Sequence, residues 1–376
     1  MNDKAYLILE NGKIFEGEFF GAHGDVTGEI VFTTGMTGYL ETLTDPSYFG
    51  QIVLQTFPLI GNYGIIPDDF ESAKIGVKAY IVKYPCKTPS NFRCEKTLGA
   101  FLEERGITGL CGIDTRALTK IIRENGVMNG KITAAKPTDI DIKEIKRYSV
   151  NAPITAVSAK EIIKNTPDNP QNNKRIALLD FGAKRGIKNA LLARGCEVHN
   201  FPFDADARDI LKINPNGIML SNGPGDPADN GNKIILKTLE ALIKSEVPIF
   251  GICMGHQLLA LAYGLKTRKL KFGHRGANQP VKDLRTGRVY ITSQNHGYEV
   301  VSNPVCANSV CADNAMKNDS TKNILSFVNV NDGSCEGLDY GVSFSVQFHP
   351  EARGGPLDTS FLFGEFIDRI KNYAVK

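Results

Sequence analysis

Gly251-Ile252-Cys253-Met254-Gly255 sets a cysteine between two glycines, at the end of the apolar run 247–252 and before a helix-forming stretch. This is the cysteine form of the G-x-S-x-G nucleophile elbow. The turn is so sharp that side chains at 251 and 255 would meet neighbouring backbone, which glycine avoids. The sulfur is pushed out over the start of the next helix, whose amino end favours a thiolate. A cysteine at a strand end also serves as a small buried hydrophobe, so a base must be found elsewhere in the chain.

His349-Pro350-Glu351 supplies that base. In an extended segment, residues two apart project to the same side. Glu351 can then stand behind the imidazole of His349 and hold its tautomer, leaving the other ring nitrogen for the thiol. Read separately, His349 is a loop histidine beside a turn proline. The two motifs together describe a nucleophile, a base and an orienting carboxylate.

Leu220 to Pro227 (L-S-N-G-P-G-D-P) closes another strand with a glycine-rich turn. Amides freed there, with that of Met254, are candidate oxyanion donors. Gly223 to Ala228 also fits the G-x-G-x-x-[GA] dinucleotide fingerprint. It follows the third strand of its domain instead of the first, however, and Pro224 and Pro227 remove amides a pyrophosphate would need. Glu246, the nearest acid about twenty residues on, sits at a helix end, so the dinucleotide reading fails. Gly126 to Ile132 resembles a P-loop, but its glycines are one residue too close and Ile132 replaces the magnesium-binding Ser/Thr. No nucleotide site is expected in this chain.

These motifs need strand ends to stand on. From 175 onward, strands at 175–180, 197–201, 217–220 and 248–252 alternate with helices at 184–194, 207–211, 232–244 and 255–263. Such alternation predicts an α/β domain with a mostly parallel sheet flanked by helices, its ligands beyond the carboxyl ends of the strands. The first 150 residues predict a mixed α/β unit, with strands at 5–10, 13–15, 29–33, 52–56, 79–82 and 130–133 and helices at 98–105 and 116–124. Polar, proline-containing 165–173 reads as a linker. The expected organisation is an N-terminal domain at 1–150, a linker at 151–173 and a C-terminal domain at 174–376.

Of the 376 residues, 42% are hydrophobic and 23% charged, as in a soluble globular protein. A net charge of +3 gives no basic stripe for nucleic acid. No apolar stretch approaches the ~18 residues of a membrane span, and Met1 to Lys4 lead into a strand with no signal peptide. A cytoplasmic location is expected. The eight cysteines form no C-x-x-C pair, and Cys306 and Cys311 lack a second ligand pair, so no metal site is expected.

G-I-C-M-G-H-Q at 251–257, L-S-N-G-P-G-D-P at 220–227, Q-N-H-G-Y at 294–298 and F-H-P-E at 348–351 resemble the class I, triad-type glutamine amidotransferases. F-T-T-G-M-T-G-Y-L-E-T-L-T-D-P-S-Y at 32–48, Q-I-V-L-Q-T-F-P-L-I-G-N-Y-G at 51–64 and C-G-I-D-T-R-A-L-T at 111–119 resemble the amino-terminal domain of carbamoyl phosphate synthetase small subunits. The resemblance implies Cys253 as nucleophile, His349 as general base and acid, and Glu351 as orienting carboxylate. It implies oxyanion amides at Gly223 and Met254, and glutamine contacts from Ser47, Gly223, Gly225, Met254, Gln257, Asn295, Gly297 and Tyr298.

It also implies that L-glutamine is the substrate and that a large subunit, in a heterodimer or higher oligomer, makes carbamoyl phosphate from bicarbonate, ammonia and ATP for arginine and pyrimidine synthesis. ATP and magnesium would belong to that subunit, with no cofactor in this one. The chain departs from the family pattern at Met254, commonly leucine, at Tyr298, where phenylalanine is also found, and at Arg353-Gly354-Gly355.

Overall fold

The structure is a computed structural model that describes residues 4–169, 174–301 and 324–373. Seven strands of the first part close into a barrel in the order Lys4–Leu9, Ile14–Phe19, Thr108–Cys111, Ala79–Ile81, Gln51–Gln55, Val26–Thr33, Met128–Thr133. Its strands carry apolar residues on both faces. Ile30, Ile52, Leu54 and Ile81 enter one core. Their neighbours Val31, Val53, Tyr80 and Val82 enter another, against Leu40 and Leu43 of helix Tyr39–Thr44 and Phe101 and Leu102 of helix Leu98–Glu104. Side chains alternate along a strand, so burial on both faces erases the polar/apolar alternation.

The second part is built on a ten-stranded sheet in the order Ile163–Asn165, Glu197–Pro202, Arg175–Asp180, Gly217–Leu220, Ile249–Ile252, Phe344–Val346, Cys335–Asp339, Leu325–Asn329, Lys266–Asp283, Val289–Val301. The five strands from Glu197–Pro202 to Phe344–Val346 pair in parallel. The remaining pairings are antiparallel. Helices Arg185–Leu192 and Phe361–Tyr373 cover one face through Ile187, Leu191, Phe363 and Phe366. Helices Ala207–Lys212, Lys233–Lys244 and Met254–Ala262 cover the other through Ile210, Leu239, Leu242 and Leu258.

The predicted parallel sheet is therefore present, and an antiparallel extension doubles its width. The stretch 151–173, read as a linker, includes two short elements. Pro153 starts the helix Pro153–Val157, and Ile163–Asn165 adds an edge strand beside Glu197–Pro202. Pro153 sits at the first helical position, where proline costs no hydrogen bond.

Candidate active site

Three carboxyl ends of the parallel strands, and the segment that leaves a fourth, converge on one edge. Cys253 lies between strand Ile249–Ile252 and helix Met254–Ala262 with φ 55° and ψ −103°, a conformation side-chain-bearing residues rarely adopt. A Cβ at Gly251 would stand 2.7 Å from the Gly255 carbonyl oxygen, and one at Gly255 2.4 Å from that of Leu220. Both glycines are thus steric requirements of the elbow. The turn is tied down by Cys253 N donating to Val346 O at 2.9 Å and Gly255 N donating to Ser221 O at 2.9 Å. The Cys253 thiol is buried and donates to Asn295 O at 3.6 Å.

His349 leaves strand Phe344–Val346 and is fixed by its own N–H, which donates to Ser293 O at 2.9 Å. Its Nδ1 is 2.6 Å from Glu351 Oε1. Lys184 Nζ reaches the same oxygen at 2.9 Å. All three side chains are nearly or fully buried. Burial and the Lys184 charge disfavour a protonated ring; the Glu351 carboxylate and the Cys253 thiol favour it and prevail, pushing His349 up to about 10. Glu351 is desolvated too, yet Lys184 and His349 hold it well below the usual carboxylate range. Desolvation opposes a charged Lys184, but Glu351, Glu71 and Asp45 keep it charged. With Nδ1 taken by Glu351, the buried His349 Nε2 is the nitrogen left for the Cys253 thiol and for chemistry.

Beside the sulfur lies a cavity of about 440 Å³. Ser47, Gly223, Gly225, Met254, Gln257, Asn295, Gly297 and Tyr298, the eight positions expected to hold glutamine, all line it with Cys253. Ser47 reaches it from the barrel half, held by Asn222 Nδ2 at 2.8 Å. A Cβ at Gly223 would be 2.4 Å from Phe181 O, and Gly225 has φ +97° against Pro153. Met254, first in its helix, has an amide outside the helix's own ladder. Gln257 is partly spent on structure: its Nε2 donates to Tyr298 O at 2.8 Å and to Gln347 Oε1 at 2.9 Å. The extra hydroxyl of Tyr298 is pushed up by burial and by Asp226, which it approaches. His349 faces a second, smaller cavity of about 60 Å³ beyond Asn295.

Several residues of this site were given no role by the motifs, although Asp45 and Asn222 lie inside two of them. Asp45 accepts from Ser47 N at 2.8 Å and from Asn295 Nδ2 at 3.0 Å, binding three parts of the site together. Asn222 Oδ1 accepts from Lys184 N at 3.0 Å. Arg275 is buried at the cavity wall and donates to Phe272 O at 2.6 Å; a Cβ at Gly297 would stand 3.1 Å from its Nη2. Asp45 before Pro46 reads as an ordinary turn, and a lysine is by default solvated. The available signal was position: Lys184 and Asn222 each follow a strand of the parallel set at its carboxyl end.

Among the described residues, His274, His296 and Glu336 bring donor atoms of metal-binding type within 4.8 Å of one another. The rings already have work. His274 Nε2 meets Asp332 at 2.8 Å, and His296 faces Tyr298 O at 2.8 Å and Gln294 at 3.0 Å, bracing the segment that carries Asn295 and Gly297. Cys306 and Cys311 lie outside the described residues. No described helix is long and apolar enough to cross a membrane.

Comparison with known families matches residues 7–132 to carbamoyl-phosphate synthase small chain, CPSase domain, and residues 177–369 to glutamine amidotransferase class-I. The carbamoyl phosphate synthase small chain of Fusobacterium nucleatum is 49% identical over 371 residues, covering 97% of this chain and 98% of the relative. That of Clostridium perfringens is 47% identical over 368 residues, covering 97% and 99%. A carbamoyl phosphate synthase pyrimidine-specific small chain from Halalkalibacterium halodurans is 45% identical over 374 residues, covering 98% of each.

Proposed function

Since the chain belongs to the carbamoyl phosphate synthase small-chain family, we propose that it hydrolyses L-glutamine and hands the ammonia to a large synthetase subunit. The observation that carries this reading is the line from Lys184 through Glu351 to His349, beside a buried thiol that opens on a cavity lined from both halves of the fold.

The chemistry is acyl transfer through a thioester. Cys253 passes its thiol proton to His349 as its sulfur attacks the side-chain amide carbon of glutamine. A C–S bond forms, and the carbonyl π electrons move to oxygen, where the amides of Gly223 and Met254 receive the charge. The tetrahedral species collapses as the C–N bond breaks, and His349, held as an imidazolium by Glu351, gives the departing nitrogen its proton. Neutral His349 then takes a proton from water, whose oxygen attacks the thioester. The C–S bond breaks, glutamate leaves, and His349 returns its proton to the sulfur. Ser47, Gly225, Gln257, Asn295, Gly297 and Tyr298 hold the substrate during these steps.

In this reading residues 1–150 and 174–376 act as two domains joined through 151–173. The subunit needs no metal or cofactor of its own; ATP and magnesium serve the large subunit, which combines ammonia with bicarbonate. The pair works as a heterodimer or a higher oligomer in the cytoplasm. Its carbamoyl phosphate feeds arginine and pyrimidine synthesis, and the likeness to a pyrimidine-specific relative supports the second destination. The test is a glutaminase assay with and without the large subunit. Glutamine hydrolysis that rises with the partner and drives carbamoyl phosphate formation is expected; no hydrolysis in either condition would defeat the reading.

A further inference from the structure

Glu71 belongs to the barrel half, 280 residues from the carboxylate of the triad, yet its side chain is wholly buried among the groups that control it. Its Oε2 accepts from Gly186 N at 2.9 Å, and its backbone carbonyl accepts from Arg185 N at 2.8 Å. Its Oε1 is 3.4 Å from Arg353 Nε. Arg353 also donates to Asp68 O at 2.8 Å, so the segment 68–71 is gripped by the residues following Lys184 and Glu351. Gly186 permits the crowding, because a Cβ there would stand 3.0 Å from Glu351 Cγ and 3.2 Å from Arg353 Cδ.

Building on the glutaminase reading, we propose that Glu71 is a positioning residue for the reaction: its charge balances Lys184, so that Glu351 stays committed to His349. His349 and Lys184 compete for one carboxylate oxygen. Glu351 Oε1 serves His349 Nδ1 and Lys184 Nζ at once. A cation that close draws on the carboxylate and disfavours the imidazolium behind it. Glu71 and Asp45 act on Lys184 from the barrel side, so part of its field ends on carboxylates other than Glu351. Burial pushes the Glu71 carboxyl up, against Lys184, the Gly186 N–H and Arg353, which favour its charge; Glu351 and Glu41 are the other carboxylates acting there, and Cys253 and His296 are further groups that act on His349.

The bland alternative is that Glu71 only caps the helix Arg185–Leu192 and joins the two halves. Two substitutions of opposite sign separate the readings, measured as the pH dependence of kcat/KM for glutamine in the complex with the large subunit. Glu71→Gln keeps an acceptor of the same reach for Gly186 N but removes the charge. It is expected to move the profile toward lower pH and to reduce kcat/KM about tenfold at neutral pH, mainly in kcat. Arg353→Gln frees the Glu71 charge to bear on Lys184 and is expected to move the profile the other way.

Profiles that superimpose on the wild type in both variants, with only thermal stability lowered, overturn the proposal. If Glu71→Gln does not fold, an unmoved Arg353→Gln profile overturns it as well. Wild-type protein measured in the same run keeps the underlying reading separate, since loss of that reading appears as no glutamine hydrolysis at all.

Discussion

Asn222 Nδ2 donates to Ser47 Oγ at 2.8 Å, although the two residues lie 175 positions apart and belong to different halves of the fold. Asn222 stands two residues beyond strand Gly217–Leu220, and Ser47 is in the short 3₁₀ turn Pro46–Tyr48 capped by Asp45. Closing the barrel onto the sheet therefore completes the wall of the glutamine cavity. Ser47→Ala removes one hydrogen bond at this seam, worth about 0.5–1.5 kcal/mol. It is expected to raise KM for glutamine between twofold and about tenfold while ammonia-dependent synthesis is untouched. Steady-state kinetics with the two nitrogen sources check this.

Cys253→Ser replaces the sulfur with a poorer nucleophile at the elbow. Glutamine-dependent carbamoyl phosphate formation in the two-subunit enzyme is expected to disappear, with ammonia-dependent formation retained. Glutamine use surviving in that variant would show that another group attacks the amide.

The charge on His349 predicts a stability effect with a definite sign. Its folded value of about 10 lies above the ordinary 6.5, so the contribution is complete below pH 6.5 and is lost as pH rises through 10. The stability advantage of wild type over His349→Asn should shrink across that window. Urea unfolding at several pH values measures it, and a constant difference would refute the coupling.

Gly255→Ala places a methyl group 2.4 Å from Leu220 O, a fixed backbone atom. The elbow must open or the neighbouring strand must shift. A loss of about 1–3 kcal/mol in stability is expected, together with a severe fall in glutaminase activity. Thermal unfolding and the glutaminase assay report the two effects separately.

The parts of the site that could be read from the chain were those with local grammar. Strand, glycine, cysteine, glycine, helix is such a sequence, and so is His-x-Glu after an apolar run. The helices at 184–194 and 232–244 were likewise visible, because one apolar stripe recurs at helical spacing. The antiparallel ribbon Lys266–Asp283 and Val289–Val301 was hidden, since its polar residues face both solvent and the cavity and its register shifts twice. Strand Thr108–Cys111 is four residues long and buried throughout, too short to show a period. Helix Tyr39–Thr44 starts from Gly38 in the left-handed region with no side-chain cap, so no start signal precedes it. Lys184 and Glu71 were invisible for another reason, and Asp45, though inside a quoted motif, showed no role: each matters through partners far away in the chain, and no spacing rule reaches that distance.

The barrel's part in walling the cavity limits how freely this catalyst can be recombined. A gene fragment carrying only the later half would bring the sulfur, the imidazole and their carboxylate, but would arrive with one side of its substrate chamber missing. Grafting that fragment onto a different ammonia-consuming enzyme would require a replacement for Ser47 and its neighbours. In this chain the two halves share one chamber, and the later half moved alone would leave it open on the side where Ser47 stands.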